Sequence, residues 1–401
     1  MAARKATIAI GKQRRFGRRS ISTRITDLFE CEHPIILPGM SWISTPQLVA
    51  AVSNAGGLGI LATGPLNADE TRASIRDIRN LTDKPFGVGA TLLMPGAAEN
   101  ARVALEEKVP VVNVSLGKAD WIREGLDAYG GKLLATATNR KHASAAIQSG
   151  ADALMATGHE AAAHGGDVTS LVLVPSLAQA FPETPIVAAG GFATGGALNA
   201  ALSLGADGVA MGTRLATTQE SPLATTMKEA ICASGEAQTL YGSNFDGIPA
   251  RVLETPMSRK LMESRPWLPV IVGRAFAASR NMGIPLWKVL PGLMTRFDQM
   301  FAVAQFGAAT SAIQAATVDG DAEQGVQFVG QCQGLIHDVP SVQALFDAIL
   351  EESQAAHLEN TFKFAGISLH DQQSSSDTRR AVCARSTDLL PPIESYILFN
   401  R

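Results

Sequence analysis

Cysteine is scarce. The chain of 401 residues has four, at Cys31, Cys232, Cys332 and Cys383, and none lies close to another. That spacing offers no zinc-finger or dithiol redox motif, and it fits a reducing intracellular compartment. A chain this long buries a sizeable core without disulfides or structural metal. Charge is also sparse, at 18% of residues with a formal net charge of -3, so a nucleic-acid partner gains no global electrostatic support. Acidic residues are absent before Asp27, whereas Arg4, Lys5, Lys12, Arg14, Arg15, Arg18, Arg19 and Arg24 precede it. This pattern reads either as an organelle transit peptide or as a flexible basic arm over residues 1–24, the reading adopted here. The continuous apolar core of a secretory signal is missing.

One charge-free stretch, Thr184–Leu204, is long enough to raise the question of a membrane span. Gly190, Gly191, Gly195 and Gly196 interrupt it and Asp207 follows, so it reads better as strand, glycine-rich turn and helix. The expected protein is cytoplasmic, with the organelle address as the alternative.

Short β-branched runs alternate with Ala-rich helical stretches, which is the signature of βα units and a parallel sheet. Strand candidates are Pro34–Met40, Gly57–Gly64, Phe86–Leu93, Val111–Gly117, Lys132–Thr138, Ala153–Ala161, Pro185–Gly191 and Gly208–Thr213. Helix starts are marked by Thr45-Pro46, by Asn67 with Asp69 and Glu70, and by Thr194; stops by Gly150 and Gly205. Eight such units predict a (β/α)₈ TIM barrel, spanning residues 25–240 and 324–364. From Pro256 to Val318 the strand rhythm stops and the sequence becomes rich in Met, Phe and Ala. Residues 241–323 are therefore expected to form an inserted helical domain covering the substrate. A Met and aromatic stripe serves helix packing, or walls a pocket. Residues 365–401 read as a mobile tail.

Two glycine-rich turns follow the seventh and eighth strands, AAGGFATGG and VAMGTR. In a barrel these lie side by side, where backbone N–H groups and helix N-termini bind phosphate. Gly190, Gly191, Gly212 and Thr213 form the expected cradle. The sixth strand ends in GHEAAAHGG, which carries His159, Glu160 and His164. The histidines lack the i, i+4 spacing of a zinc helix, so no metal is expected. For His164, an acid or base role and a loop hydrogen bond are equal readings; for His159 the loop role is favoured.

The segments HPIILPGM, GHEAAAHGG, TPIVAAGGFATGGALNAALSLGADGVAMGTRLATTQES and GQCQGLI resemble the nitronate monooxygenase family, whose scaffold is shared by the flavin-type enoyl-acyl-carrier-protein reductases. The resemblance runs from about Thr26 to Leu350. It implies non-covalent FMN held by Pro38, Gly39, Met40, Ala161, Ala162, Gly190, Gly191, Met211, Gly212 and Thr213. The family's Glu-Ala-Gly-Gly-His motif aligns with Glu160-Ala161-Ala162-Ala163-His164, so His164 inherits the catalytic role. Three departures stand out. Ala162 and Ala163 replace two glycines, and their methyl groups would crowd the flavin or shift the loop. Strand one reads Leu-Pro-Gly-Met rather than Ala-Pro-Met. Strand three places Gly89 where relatives often carry Asn.

The activity so implied is oxidation of alkyl nitronates with O2 to a carbonyl compound and nitrite. An NAD(P)H-dependent flavin reductase acting on an enoyl thioester or quinone is the alternative, and a non-catalytic flavin-binding protein a second one. Fold alone does not decide among them.

Overall fold

The structure is a computed structural model that describes residues 21–245, 248–263, 311–321, 323–364 and 366. Eight parallel strands close into a barrel: β1 (Ile35–Leu37), β2 (Leu58–Ala62), β3 (Phe86–Thr91), β4 (Val111–Ser115), β5 (Lys132–Ala137), β6 (Ala153–Thr157), β7 (Ile186–Ala189) and β8 (Gly208–Ala210). Ile36 of β1 pairs with both Leu58 and Ala210, which closes the ring. Each observed strand lies inside its expected segment. The surplus residues fall mainly at the carboxyl ends, where the apolar run continues into the loops that build the site.

Alternation along each strand makes two cores. Ile36, Leu58, Ile60, Val111, Leu134, Met155, Val187 and Ala210 fill the barrel interior. Ile35, Leu37, Leu61, Val88, Val112, Leu133, Leu154, Ile186 and Val209 pack outward among the helices. Strands apolar on both faces are what a parallel sheet covered by helices requires.

The interior cluster is completed by Ile25 and Phe29 from the helix Arg24–Phe29. This helix is pinned to the barrel by a forked ion pair, with Arg24 Nε 2.8 Å from Asp207 Oδ1 and Nη2 2.8 Å from Oδ2. Asp207 Oδ2 also accepts the Ile186 amide at 3.0 Å, and Thr23 Oγ1 donates to Asp207 O at 2.6 Å. Arg24, grouped by its charge with the basic arm, is thus part of the barrel. Residues 1–20 lie outside the described residues.

The charge-free stretch resolves into β7, a turn and the helix Gly195–Ser203, capped by Thr194 Oγ1, which accepts from the Ala197 amide at 3.1 Å. No helix among the described residues is long and apolar enough to cross a membrane. The closing helix Val342–Phe364 packs on Gly195–Ser203. It comes so close that a Cβ on Gly195 would lie 2.2 Å from Ile349 O.

The segment expected to be helical from Tyr241 begins instead with an antiparallel hairpin. Here β9 (Thr239–Gly242) pairs with β10 (Ala250–Leu253), and the helix Pro256–Glu263 follows. The strand signal is weak because β10 is only four residues long and includes the charged Arg251. That arginine is buried all the same. Residues 264–310, most of the expected helical insertion, and the tail 367–401 lie outside the described residues.

Candidate active site

Closure of the barrel brings the β1 and β8 turns together. A Cβ on Gly212 would lie 3.4 Å from Met40 Sδ and 3.7 Å from Pro38 Cγ. The Pro38-Gly39-Met40 turn is held by Ser44, whose Oγ donates to Pro38 O at 2.7 Å and accepts from Met40 N at 3.0 Å. On the other side of β8, Gly190 and Gly191 both have positive φ, 96° and 88°. L side chains rarely adopt this conformation, so glycine is required there. A Cβ on Gly190 would lie 3.1 Å from the Ala161 amide, which places the β6 loop against the β7 turn.

Among the described residues, the amides of Gly190, Gly212 and Thr213 donate to no protein acceptor. Unpaired N–H groups in adjacent glycine turns are costly unless an anion or water takes them. They suit a phosphate, and these residues fit the head group of a flavin nucleotide. Met211 departs from its expected role: its side chain is fully buried in the outer core and its amide donates to Ile36 O at 3.0 Å.

A segment not singled out as part of the site joins it. Gly330 N donates to Thr213 Oγ1 at 2.9 Å, and Gln331 N donates to Glu160 O at 3.0 Å. A Cβ on Gly330 would lie 2.9 Å from Glu160 O and 3.3 Å from Ala162 N. Cys332 lies beside Thr213 and the Gly191 amide. Burial pushes its thiol up to about 11, with the hydrogen bonds opposing, so it stays protonated. Gly330, the first glycine of GQCQG, was the sequence signal for this close approach.

The β6 loop carries the histidines. Glu160 caps the next helix, Ser170–Ala180, by accepting the Ser170 amide at 2.9 Å and its hydroxyl at 3.0 Å. Ser170 Oγ also approaches Gly190 O at 2.7 Å, so the loop, the helix and the β7 turn form one unit. His159 is built into the loop. Its Nδ1 faces Gly166 O at 3.0 Å and therefore carries the proton, while its ring meets Tyr241 edge-on at 4.5 Å. His164 is half-buried, its ring 6.0 Å from Phe328, which in turn makes an edge contact with Phe245 at 5.7 Å.

Hairpin strand β10 holds this loop from above. Arg251 is 4% exposed, and both Nε and Nη2 donate to His159 O, at 3.3 and 3.1 Å. Nη1 donates to Thr239 Oγ1 at 2.9 Å, and the guanidinium stands over the Tyr241 ring at 5.2 Å. Burial lowers its pKa, while Tyr241 and Glu160 act the other way. An arginine remains charged under such shifts. Ala163, immediately before His164, has φ 54°. That left-handed conformation is what the glycine of the family motif accommodates without strain.

Residues 22–118 and 97–352 match the nitronate monooxygenase family model. The chain belongs to the nitronate monooxygenase family. It is 34% identical over 353 residues to the (3aS,4S,5R,7aS)-5-hydroxy-7a-methyl-1-oxo-octahydro-1H-indene-4-carboxyl-CoA dehydrogenase of Mycobacterium tuberculosis, covering 84% of this chain and 98% of that one. It is 31% identical over 375 residues to the nitronate monooxygenase of Pseudomonas aeruginosa, covering 81% and 97%. Among solved structures, FabK from Thermotoga maritima superposes with a TM-score of 0.72 at 35% identity, covering 86% of this chain and 99% of that one. The family member described here is an oxidoreductase with a flavin cofactor on a (β/α)₈ barrel.

Proposed function

We propose that the chain is an FMN-dependent oxidoreductase acting at the carbon next to an acyl-thioester carbonyl, with His164 as its acid or base. The observation that carries the cofactor reading is the set of unpaired amides at Gly190, Gly212 and Thr213, beside Pro38 and Met40 and next to the β6 loop. Two adjacent turns of this kind suit one phosphate, which favours FMN over a dinucleotide.

FMN when bound supplies the redox capacity, and the protein supplies orientation and proton handling. Pro38, Gly39 and Met40 line one side of the mouth; Ala161, Ala162, Gly190 and Gly191 line another. His164 follows the loop that Glu160, Ser170 and Arg251 hold in place. A C–H bond next to a thioester carbonyl is acidified by that carbonyl; the His164 imidazole would take that proton while the hydride of the adjacent carbon is lost to the bound flavin. Phe328 and Phe245 give the histidine an apolar flank, which keeps it from being fully hydrated.

The thioester reading is preferred over the nitronate reading because the CoA-thioester relative matches at higher identity, over nearly its whole length. Oxidation of a nitronate with O2 is the second reading, favoured by the family model and by the Pseudomonas relative. A nitronate is already deprotonated, so in that reading His164 would bind the anion, or take the proton of the parent nitroalkane.

Anaerobic mixing of the purified protein with a saturated acyl-CoA, an alkyl nitronate, NADH or NADPH separates the readings. Bleaching of the flavin by acyl-CoA, or bleaching by NAD(P)H that enoyl-CoA reverses, supports thioester chemistry. Bleaching by nitronate alone establishes the second reading instead.

A further inference from the structure

Strand pairing gives the two faces of the hairpin different tasks. Residues opposite each other in an antiparallel pair turn their side chains to the same face. Leu240 and Val252 form one such pair and join the apolar cluster of Phe245 and Phe328. Tyr241 and Arg251 form the next pair, and both side chains reach the β6 loop on the other side.

Tyr241 is gripped on its ring and free to act at its tip. His159 meets the ring edge-on at 4.5 Å, and the Arg251 guanidinium stands over its face at 5.2 Å. These two neighbours fix the direction of the hydroxyl, which donates to Gly165 O at 3.2 Å. A carbonyl only accepts, so the phenol must keep its proton to make this bond. It does: burial raises its pKa, Asp167 acts the same way, and Arg251 opposes them less strongly.

Gly165 is the residue after His164. The residue before, Ala163, exchanges two backbone hydrogen bonds with Arg251 at 3.1 and 2.9 Å. The hairpin therefore holds His164 from both sides, β10 at the preceding residue and β9 at the following one. Glycine loses more freedom on ordering than any other residue, so the peptide after His164 depends on such tethers. The space there is also narrow, since a Cβ on Gly165 would lie 2.7 Å from Gly158 O.

We infer that Tyr241 is a positioning residue for the reaction: its hydroxyl, by holding the Gly165 carbonyl, aims the His164 imidazole at the substrate carbon. The inference rests on the reading that His164 handles the proton. Tyr241 acts through that imidazole and not on the substrate.

Tyr241→Phe keeps the ring, and with it the contacts to His159 and Arg251, and removes only the hydroxyl. The test measures anaerobic flavin reduction by the best substrate found, over a range of substrate concentrations. It compares the flavin-loaded full chain in four forms: wild type, Tyr241→Phe, His164→Asn and the double variant. In Tyr241→Phe the limiting rate should fall about tenfold, since a small displacement of a reacting group is costly. Flavin content and the half-saturating concentration should stay as in the wild type. In the His164→Asn background the same substitution should change the rate by less than about twofold, because two residues that act as one unit are not additive. An unchanged limiting rate in Tyr241→Phe would overturn the inference. So would a tenfold loss repeated in the His164→Asn background, which gives the hydroxyl a task of its own. A raised half-saturating concentration at full limiting rate would place the hydroxyl in substrate binding, and loss of flavin would make its role structural; either result also overturns the inference. Full activity in His164→Asn would overturn the His164 reading, and the role of Tyr241 with it.

Discussion

Ala163 and Arg251 hydrogen-bond to each other in both directions, Ala163 N to Arg251 O at 3.1 Å and Arg251 N to Ala163 O at 2.9 Å. This isolated antiparallel bridge joins the β6 loop to the hairpin one residue before His164. The Arg251 side chain holds the other end of the same loop at the His159 carbonyl. Substitutions at these two positions therefore test how the candidate catalytic loop is held.

Ala163 has φ 54°, a conformation that costs a residue with a Cβ about 1–2 kcal/mol. Ala163→Gly removes that strain but adds about 0.4–1 kcal/mol of unfolded-state entropy. The net expectation is a midpoint of thermal unfolding unchanged or raised by a few degrees. Ala163→Val, β-branched in the same conformation, should lower it clearly. Thermal denaturation of the two variants side by side checks this, and a clear loss of stability in Ala163→Gly would speak against strain at this position.

Arg251→Met leaves the His159 carbonyl without its two donors. An unsatisfied buried acceptor costs about 1–3 kcal/mol. The variant should unfold at lower denaturant concentration and lose turnover while retaining flavin. Urea unfolding and the flavin absorption spectrum measure the two effects separately. Loss of flavin in step with activity would show that the hairpin supports the cofactor site rather than the histidine loop.

Glu107 illustrates stability that depends on pH away from the site. Burial would raise its carboxyl pKa, but hydrogen bonds from Arg72, Arg76 and Arg79 overcome this and hold it below the usual 4.5. A depressed carboxyl contributes stability that is fully present above the unfolded-state pKa and is lost as pH falls through the folded-state value. Glu107→Gln should thus lower stability near neutral pH and flatten its decline below about pH 4.5. Denaturant midpoints for both proteins between acidic and neutral pH give the comparison; parallel curves would mean that the arginine cluster does not act through this carboxylate.

The barrel was legible because parallel strands buried on both faces leave short apolar runs, and most of the runs end at a glycine, β5 with Thr138-Asn139 excepted. Gly190, Gly191 and Gly212 stood out for the same reason. What could not be read is contact made across long stretches of chain. Gly330 meets Thr213 from 117 residues away, and Arg24 meets Asp207 from 183. The hairpin was hidden because a buried Arg251 reads as an exposed charge until its carbonyl partners are known.

The central claim is that His164, on a loop beside a flavin site, handles the proton of the reaction. Its most direct test is the rate of anaerobic flavin reduction by the best substrate found, in wild type, His164→Asn and His159→Asn. The account predicts full flavin content in all three, a fall of about 10²–10⁴-fold for His164→Asn, and a much smaller change for His159→Asn, whose Nδ1 is already engaged by Gly166. Small and equal effects from the two substitutions would contradict it.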